Sequence, residues 1–110
     1  MKVFFDHNIP RKLRRLLKGH YVSIALEMNW TTLRNGDLLR AAEDAGYDVM
    51  VTADQDLSYQ QNLSGRRLAL VVLDTNNWNI LQHNSAPIVS AVEASSPGSF
   101  QFVTVDQAGE

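Results

Sequence analysis

The sequence predicts an α/β fold: a three-layer α/β/α sandwich around a mostly parallel sheet of about five strands. Apolar segments of strand length alternate along the chain with segments of helical periodicity. That alternation is typical of parallel strands joined by right-handed helical crossovers. The strand segments 2–6 and 68–73 also have continuously apolar centres, as expected of strands that are covered by helices on both faces.

The elements follow one another in a regular order. The first strand is expected at 2–6, and Pro10 then suits the start of a helix over 11–18 that Gly19 ends. Further strands are expected at 20–26, 48–53, 68–73 and 100–105, further helices at 37–45 and 80–94, and a short polar helix or turn at about 57–63. The sequence therefore predicts one domain over 1–106, with a frayed tail at 107–110.

Composition excludes several classes of protein. A chain of 110 residues with 45% hydrophobic residues has the size and composition of one globular domain. The absence of cysteine excludes disulfides, cysteine-ligated zinc and thiol catalysis. We find neither a signal-peptide apolar stretch nor a run of about 18 apolar residues, so we expect a cytoplasmic protein with no membrane partner.

The charges are unevenly distributed along the chain. Six of the ten Lys and Arg residues lie in the first 18 positions, against one acid, whereas the segment after Arg67 has four acids and no cation. The predicted first helix carries a basic stripe at helical spacing, formed by Arg11, Arg14, Arg15 and Lys18. Such a stripe can bind the phosphate backbone of RNA. It can equally be a solvated face whose aliphatic stems cover apolar neighbours.

Acidic residues follow two strands that we expect to be neighbours. Asp6 ends the first strand, and Asp54 and Asp56 follow the third. In the strand order 2-1-3-4-5 these ends meet at one crevice, where parallel sheets collect ligands. Two carboxylates ~4 Å apart repel by ~4 kcal/mol at an effective dielectric near 20, so the cluster would bind a proton or a cation. Oxygen ligands of this kind suit Mg²⁺ or Mn²⁺.

Each acid also has a structural interpretation. Asp6 could accept hydrogen bonds from the following loop, and Asp54 and Asp56 could form a turn and a helix cap. Asp37 lies in the first turn of its helix, where the dipole favours an acid in any case. Asp74 is interpreted as a structural residue at the end of the fourth strand.

Other candidates for the site are aromatic or histidine residues. His7 is expected to point to the other side of the strand from Asp6, either into solvent or behind the ligands of the site. Trp30, Tyr59 and Trp78 lie in predicted loops, where they could stack on bases or close the ends of the core.

The motifs resemble those of a known family. Asp6-x-Asn8-x-Pro10, Gly36-Asp37 and the segment from Val51 to Asp56 (Val-Thr-Ala-Asp-Gln-Asp) look like a small PIN-like family that is related to the nucleases of toxin–antitoxin systems. The resemblance covers nearly the whole chain and is weakest after Val72. It departs from full PIN toxins in lacking a longer helical insert. Its second acid is also an aspartate at a helix start rather than a glutamate further along.

The resemblance implies a Mg²⁺- or Mn²⁺-dependent ribonuclease. Asp6, Asp37, Asp54 and Asp56 would be its catalytic acids, and Asp6, Asp54 and Asp56 would hold the metal. Asn8 would be a polar neighbour of the metal or of its water. The implied partners are RNA, an antitoxin protein and a second copy of the chain.

Three hypotheses follow. The first is a metal-dependent ribonuclease, as the toxin half of a toxin–antitoxin pair. The second is a catalytically inactive PIN-like module that binds a partner protein or nucleic acid. The third is a metal-dependent phosphatase, which is disfavoured because the first strand ends in Asp6-His7-Asn8 rather than Asp-x-Asp and no glycine-rich phosphate loop is present.

Overall fold

Five parallel strands form the centre of the fold in the computed structural model, which describes residues 1–55 and 65–105. They pair in the order β2-β1-β3-β4-β5, and every neighbouring pair is parallel. Their bounds are Lys2–Phe5 (β1), Tyr21–Ile24 (β2), Val49–Thr52 (β3), Ala69–Leu73 (β4) and Phe100–Val103 (β5). The predicted order 2-1-3-4-5 is confirmed, and the sheet of the described residues is wholly rather than mostly parallel.

Helices cover both faces of this sheet. They are a 3₁₀ helix at Arg11–Leu16 and α-helices at Ala25–Met28 (α1), Asn35–Asp44 (α2), Trp78–Leu81 (α3) and Ser85–Glu93 (α4). Side chains alternate along β1, so that Val3 and Phe5 join a core with Leu13 of the 3₁₀ helix, whereas Phe4 joins a second core with Leu38 of α2. The two cores on opposite faces confirm the three-layer α/β/α sandwich.

Two predicted elements differ in the structure: one strand is shorter, and one helix is split in two. The strand expected at 20–26 ends at Ile24, because the Glu27 side chain accepts a hydrogen bond from the Ile24 N–H (3.1 Å) and starts α1 there. The helix expected at 80–94 is two helices, α3 and α4. Asn84 Nδ2 donates to the Ile80 carbonyl (2.7 Å) between them, and this side-chain bond takes a carbonyl that a continuous helix would use.

The first helix also differs from its prediction. It is a 3₁₀ helix that ends at Leu16 rather than a helix that runs to Lys18. Side chains three positions apart lie on the same side of a 3₁₀ helix, so Arg11 aligns with Arg14, and Lys12 aligns with Arg15. The single basic stripe expected from α-helical spacing is therefore wrong, and the basic side chains point in two directions.

The remaining expectations differ at element ends or lie elsewhere. The helix expected at 37–45 covers Asn35–Asp44, and the last strand ends at Val103 rather than at residue 105. The polar helix or turn expected at 57–63 and the tail at 107–110 lie outside the described residues. No helix within the described ranges is long and apolar enough to cross a membrane.

Candidate metal and RNA site at the carboxyl end of the sheet

Asp6 lies directly after β1, at the point where the strand order reverses between β1 and β3. Asp6 is buried, with 7% of its surface exposed. Its N–H donates to the Val51 carbonyl (2.9 Å), which extends the pairing of β1 with β3 by one step. Its carboxylate accepts two hydrogen bonds, from the His7 N–H to Oδ1 (2.7 Å) and from the Thr52 hydroxyl to Oδ2 (2.7 Å). Both donors are neutral, and no ion pair of the described residues involves Asp6.

Thr52 connects the two acidic loops. It is the last residue of β3, it is fully buried, and its hydroxyl also accepts a hydrogen bond from the Asp54 N–H (3.0 Å). One hydroxyl thus holds the Asp6 carboxylate on one side and the backbone of Asp54 on the other. The sequence placed Thr52 at the end of a strand and within the motif from Val51 to Asp56, but it did not indicate a role for the hydroxyl. The signal that could have identified it is a hydroxyl at the end of an apolar strand, two residues before an acid.

Polar side chains tie together the loops after β1, β3 and β4. Asn8 Oδ1 accepts from the Ala53 N–H (3.1 Å), and its main-chain carbonyl accepts from Asn76 Nδ2 (3.2 Å). Gln55 Nε2 donates to the Asp74 carbonyl (3.0 Å). The Asn8 amide therefore positions the acidic loop after β3, a role that the sequence did not indicate. Its predicted role beside a metal stays a prediction.

The donor chemistry at this edge suits a hard divalent cation. An ionised carboxylate offers about four acceptor positions, and the two protein donors to Asp6 leave the others available. Within the described residues, however, no three His, Asp or Glu side chains form a group that could hold a metal ion. Asp6 and Asp54 lie on adjoining loops, whereas Asp56, the third predicted ligand, lies outside the described residues. The described part of the chain thus supplies a partial set of oxygen ligands.

Asp37 and Asp74 occupy different environments from Asp6. The Asp37 side chain is 71% exposed in the first turn of α2, 3.3 Å from the Arg40 guanidinium. Asp6, Asp37 and Asp54 do not form a ligand group among the described residues. Asp74 Oδ1 accepts from the Val105 N–H (2.9 Å), which fastens the end of β4 to the residues after β5 and agrees with the structural interpretation.

The basic residues divide into two sets. Arg14 is half-buried, and its guanidinium donates to Glu27 Oε1 (2.8 Å). The hydrogen bond from the Ile24 N–H, with a further contribution from Arg14, lowers the pKa of Glu27 below its ordinary 4.5. Arg14 thus braces α1 rather than facing a ligand. The exposed set consists of Arg11, Lys12, Arg15 and Lys18. It includes Lys12, which α-helical spacing had placed off the stripe.

A cleft of about 370 Å³ opens between the ends of β1 and β2, on the side of Asp6 that faces away from β3. Among the described residues that line it, Asp6 is the one acid. His7 also lines it and is exposed, in line with the expected position in solvent or beside the site. The imidazole is exposed, and its Nε2 lies 2.9 Å from the Leu33 carbonyl. Arg11 and Thr31 contribute polar groups to the same cleft.

The aromatic loop residues belong to the core. The Trp30 ring packs against Phe4 (5.2 Å between centroids) and Tyr47 (6.3 Å), and Trp78 packs against the core of the other face. These two residues close the ends of the core, and the base-stacking alternative is not favoured for them. Tyr59 lies outside the described residues.

Searches against protein-family models, curated proteins and solved structures find no match to this chain.

Proposed function

We propose that the protein is a metal-dependent ribonuclease of PIN-like type. The observation that carries the proposal is Asp6: a buried carboxylate at the reversal point of a parallel sheet, hydrogen-bonded by neutral donors alone among the described residues. A buried carboxylate whose charge is not balanced within the chain favours a cation. Thr52 connects it to the loop of a second acid, and that arrangement supports a shared ligand.

The roles of the described residues are inferred from their positions, and the role of Asp56 is inferred from the resemblance of its motif. Asp6 and Asp54, together with Asp56, would hold Mg²⁺ or Mn²⁺. A bound divalent ion supplies Lewis-acid chemistry that neutralises charge developing on a phosphate during hydrolysis. Thr52 positions Asp6 by donating to Oδ2, and Asn8 positions the loop of Asp54. These contacts fix the acids before substrate arrives, which limits reorganisation during the reaction.

The exposed basic side chains beside this edge support RNA as the substrate. The 3₁₀ helix starts five residues after Asp6 and carries Arg11, Lys12 and Arg15 on its surface. A phosphate backbone bound to these side chains would pass the carboxylates, and its affinity would fall steeply with salt. We place the protein in the cytoplasm, as expected from its sequence. By the resemblance of its motifs, it is controlled by an antitoxin protein, with a second copy of the chain as a further partner.

The test is Mn²⁺-dependent cleavage of RNA by the wild-type chain and by the variants Asp6→Asn and Asp54→Asn. We expect each substitution to abolish cleavage and to leave the circular dichroism spectrum unchanged. Asp44→Asn is the matched control, since Asp44 is exposed at the far end of α2, and it should cleave like wild type. Undiminished cleavage by the Asp6→Asn/Asp54→Asn double variant would contradict the proposal.

A catalytically inactive binding module is the second candidate, because the described residues lack a group of three metal ligands. A thermal melt with and without Mn²⁺ separates the two candidates. An ion that binds only the folded state must raise the melting temperature. We expect a rise in wild type that Asp6→Asn removes, whereas no response in either protein would favour the module.

A further inference from the structure

The cleft beside Asp6 is lined by both apolar and polar side chains. The larger apolar side chains of its lining are those of Ile9, Ile24 and Leu26. Leu26 is 65% exposed, so a large apolar side chain faces solvent at the mouth of the cleft rather than contributing to either core. Because exposed apolar surface that lines a concavity is typical of ligand sites, this lining favours an occupant with an apolar face.

The polar part of the lining includes one acid, Asp6, and one arginine, Arg11. Arg11 offers a guanidinium that can donate to a phosphate, and Thr31 offers a hydroxyl. Asp6 is buried and is shared with the proposed metal site. No ion pair of the described residues joins Arg11 to Asp6, so the guanidinium is not committed to the carboxylate. An occupant that fits this lining has a flat apolar face and a phosphate.

The size of the cleft further limits which ligand could occupy it. Its volume of about 370 Å³ is near the lower limit of pockets that enclose small ligands. One nucleotide unit fits such a space, whereas a base-paired stack does not. Enzymes that do chemistry on a base show that an unstacked base can be held between aromatic or apolar side chains.

We infer that this cleft is a nucleotide subsite, in which one unpaired ribonucleotide lies with its base against Ile24 and Leu26 and its phosphate beside Arg11. The inference rests on the proposed function, since it places the substrate of that same site. The exposed cations Lys12 and Arg15 then bind neighbouring phosphates without reading a base. Base binding and phosphate binding are therefore divided between two surfaces, and single substitutions can separate them.

The experiment measures binding by fluorescence anisotropy in EDTA, where the proposed cleavage cannot proceed. The probes are a single-stranded oligoribonucleotide, its full duplex, and an oligomer of the same length that carries abasic sites. Wild type should bind the first probe more tightly than the other two. Leu26→Ala should weaken binding of the single strand by about fivefold or more and leave binding of the abasic oligomer unchanged. Lys12→Ala should weaken binding of both single-stranded probes equally.

Phe102→Ala is the matched control, since Phe102 is 47% exposed on β5 at the opposite edge of the sheet. It should bind all probes like wild type. The inference would fail if Leu26→Ala lowered affinity for the abasic oligomer as much as for the single-stranded RNA, or lowered affinity for neither. Mn²⁺-dependent cleavage would still support the proposed function in that case. Absence of binding to any probe, together with absence of cleavage, would overturn both. Equal binding of duplex and single strand would also exclude the subsite.

Discussion

The two ends of the sheet treat their acidic residues differently. At the amino end, Glu43 accepts from the main-chain N–H groups of Arg67 (2.6 Å) and Leu68 (3.4 Å), and it also pairs with the Arg66 guanidinium (3.3 Å). At the carboxyl end, Asp6 accepts only from an N–H and a hydroxyl among the described residues. Both acids are well hydrogen-bonded, but of the two, Glu43 alone pairs with a cation among the described residues.

The cation at the start of β1, Lys2, likewise makes several contacts within the chain. Lys2 Nζ donates to the Ala45 carbonyl (2.7 Å) and lies 4.5 Å from the centre of the Tyr47 ring, while the Lys2 N–H donates to Asp48 (2.8 Å). The contacts at this end fasten α2 and β3 to the first strand. We therefore expect substitutions at the amino end to change stability without changing cleavage, and substitutions at the carboxyl end to lower cleavage as well as stability.

Thr52→Val, at the carboxyl end of the sheet, is expected to have the largest effect on function. Valine has nearly the shape of threonine but removes the hydroxyl that donates to Asp6 and accepts from the Asp54 N–H. Loss of such a positioning group typically reduces metal affinity or activity by about 10- to 100-fold. We expect the Mn²⁺ concentration for half-maximal cleavage to rise by that factor.

Thr52→Ser is the control for this prediction, because it keeps the hydroxyl and removes only a methyl group. It should restore the Mn²⁺ dependence of wild type almost fully. A thermal melt without metal separates this effect from unfolding, since the lost hydrogen bond to a charged group also destabilises the fold by about 1.5–3 kcal/mol. Equal Mn²⁺ requirements for Thr52→Val and wild type would show that the hydroxyl does not position Asp6 for a metal.

Glu43→Gln tests the amino end and should change stability without changing cleavage. The hydrogen bond from the Arg67 N–H, followed by the Leu68 N–H and the Arg66 charge, lowers the pKa of Glu43 below its ordinary 4.5. Because the pKa is lower in the folded state, the ionised carboxylate stabilises the fold at any pH above its ordinary pKa. This contribution is lost as the pH falls through the folded-state pKa. We expect glutamine to cost about 1 kcal/mol at pH 7.

The measurement for Glu43 is urea unfolding of both proteins between about pH 7 and pH 3. The difference in unfolding free energy between wild type and Glu43→Gln should shrink as pH falls below the ordinary carboxyl value. Asp44→Asn, at an exposed residue near the end of α2, should be close to wild type throughout. A Glu43 difference that stayed constant with pH would mean that the charge of this carboxylate does not matter.

The sequence predicted the sheet more successfully than the site, for a physical reason. Apolar runs such as 68–73 report burial directly, and the position of Asp6 after such a run places it at a strand end. Which donors surround Asp6 depends on contacts between segments 46 residues apart, such as that with Thr52. The 3₁₀ geometry at Arg11–Leu16 depends equally on packing, and with it the directions of the basic side chains.

Asp37→Asn is the smallest expected effect and tests the boundary of the site. The resemblance implies a catalytic role, whereas the structure places this side chain in solvent beside Arg40 on α2. Exposed substitutions away from buried networks usually change stability by less than about 0.5 kcal/mol. We therefore expect a melting temperature close to that of wild type and a cleavage rate within about twofold of wild type. Both are measured beside Asp6→Asn. If Asp37→Asn lost cleavage as completely as Asp6→Asn did, α2 would have to move towards the carboxylates when RNA and metal bind, and the site would extend beyond the edge formed by β1 and β3.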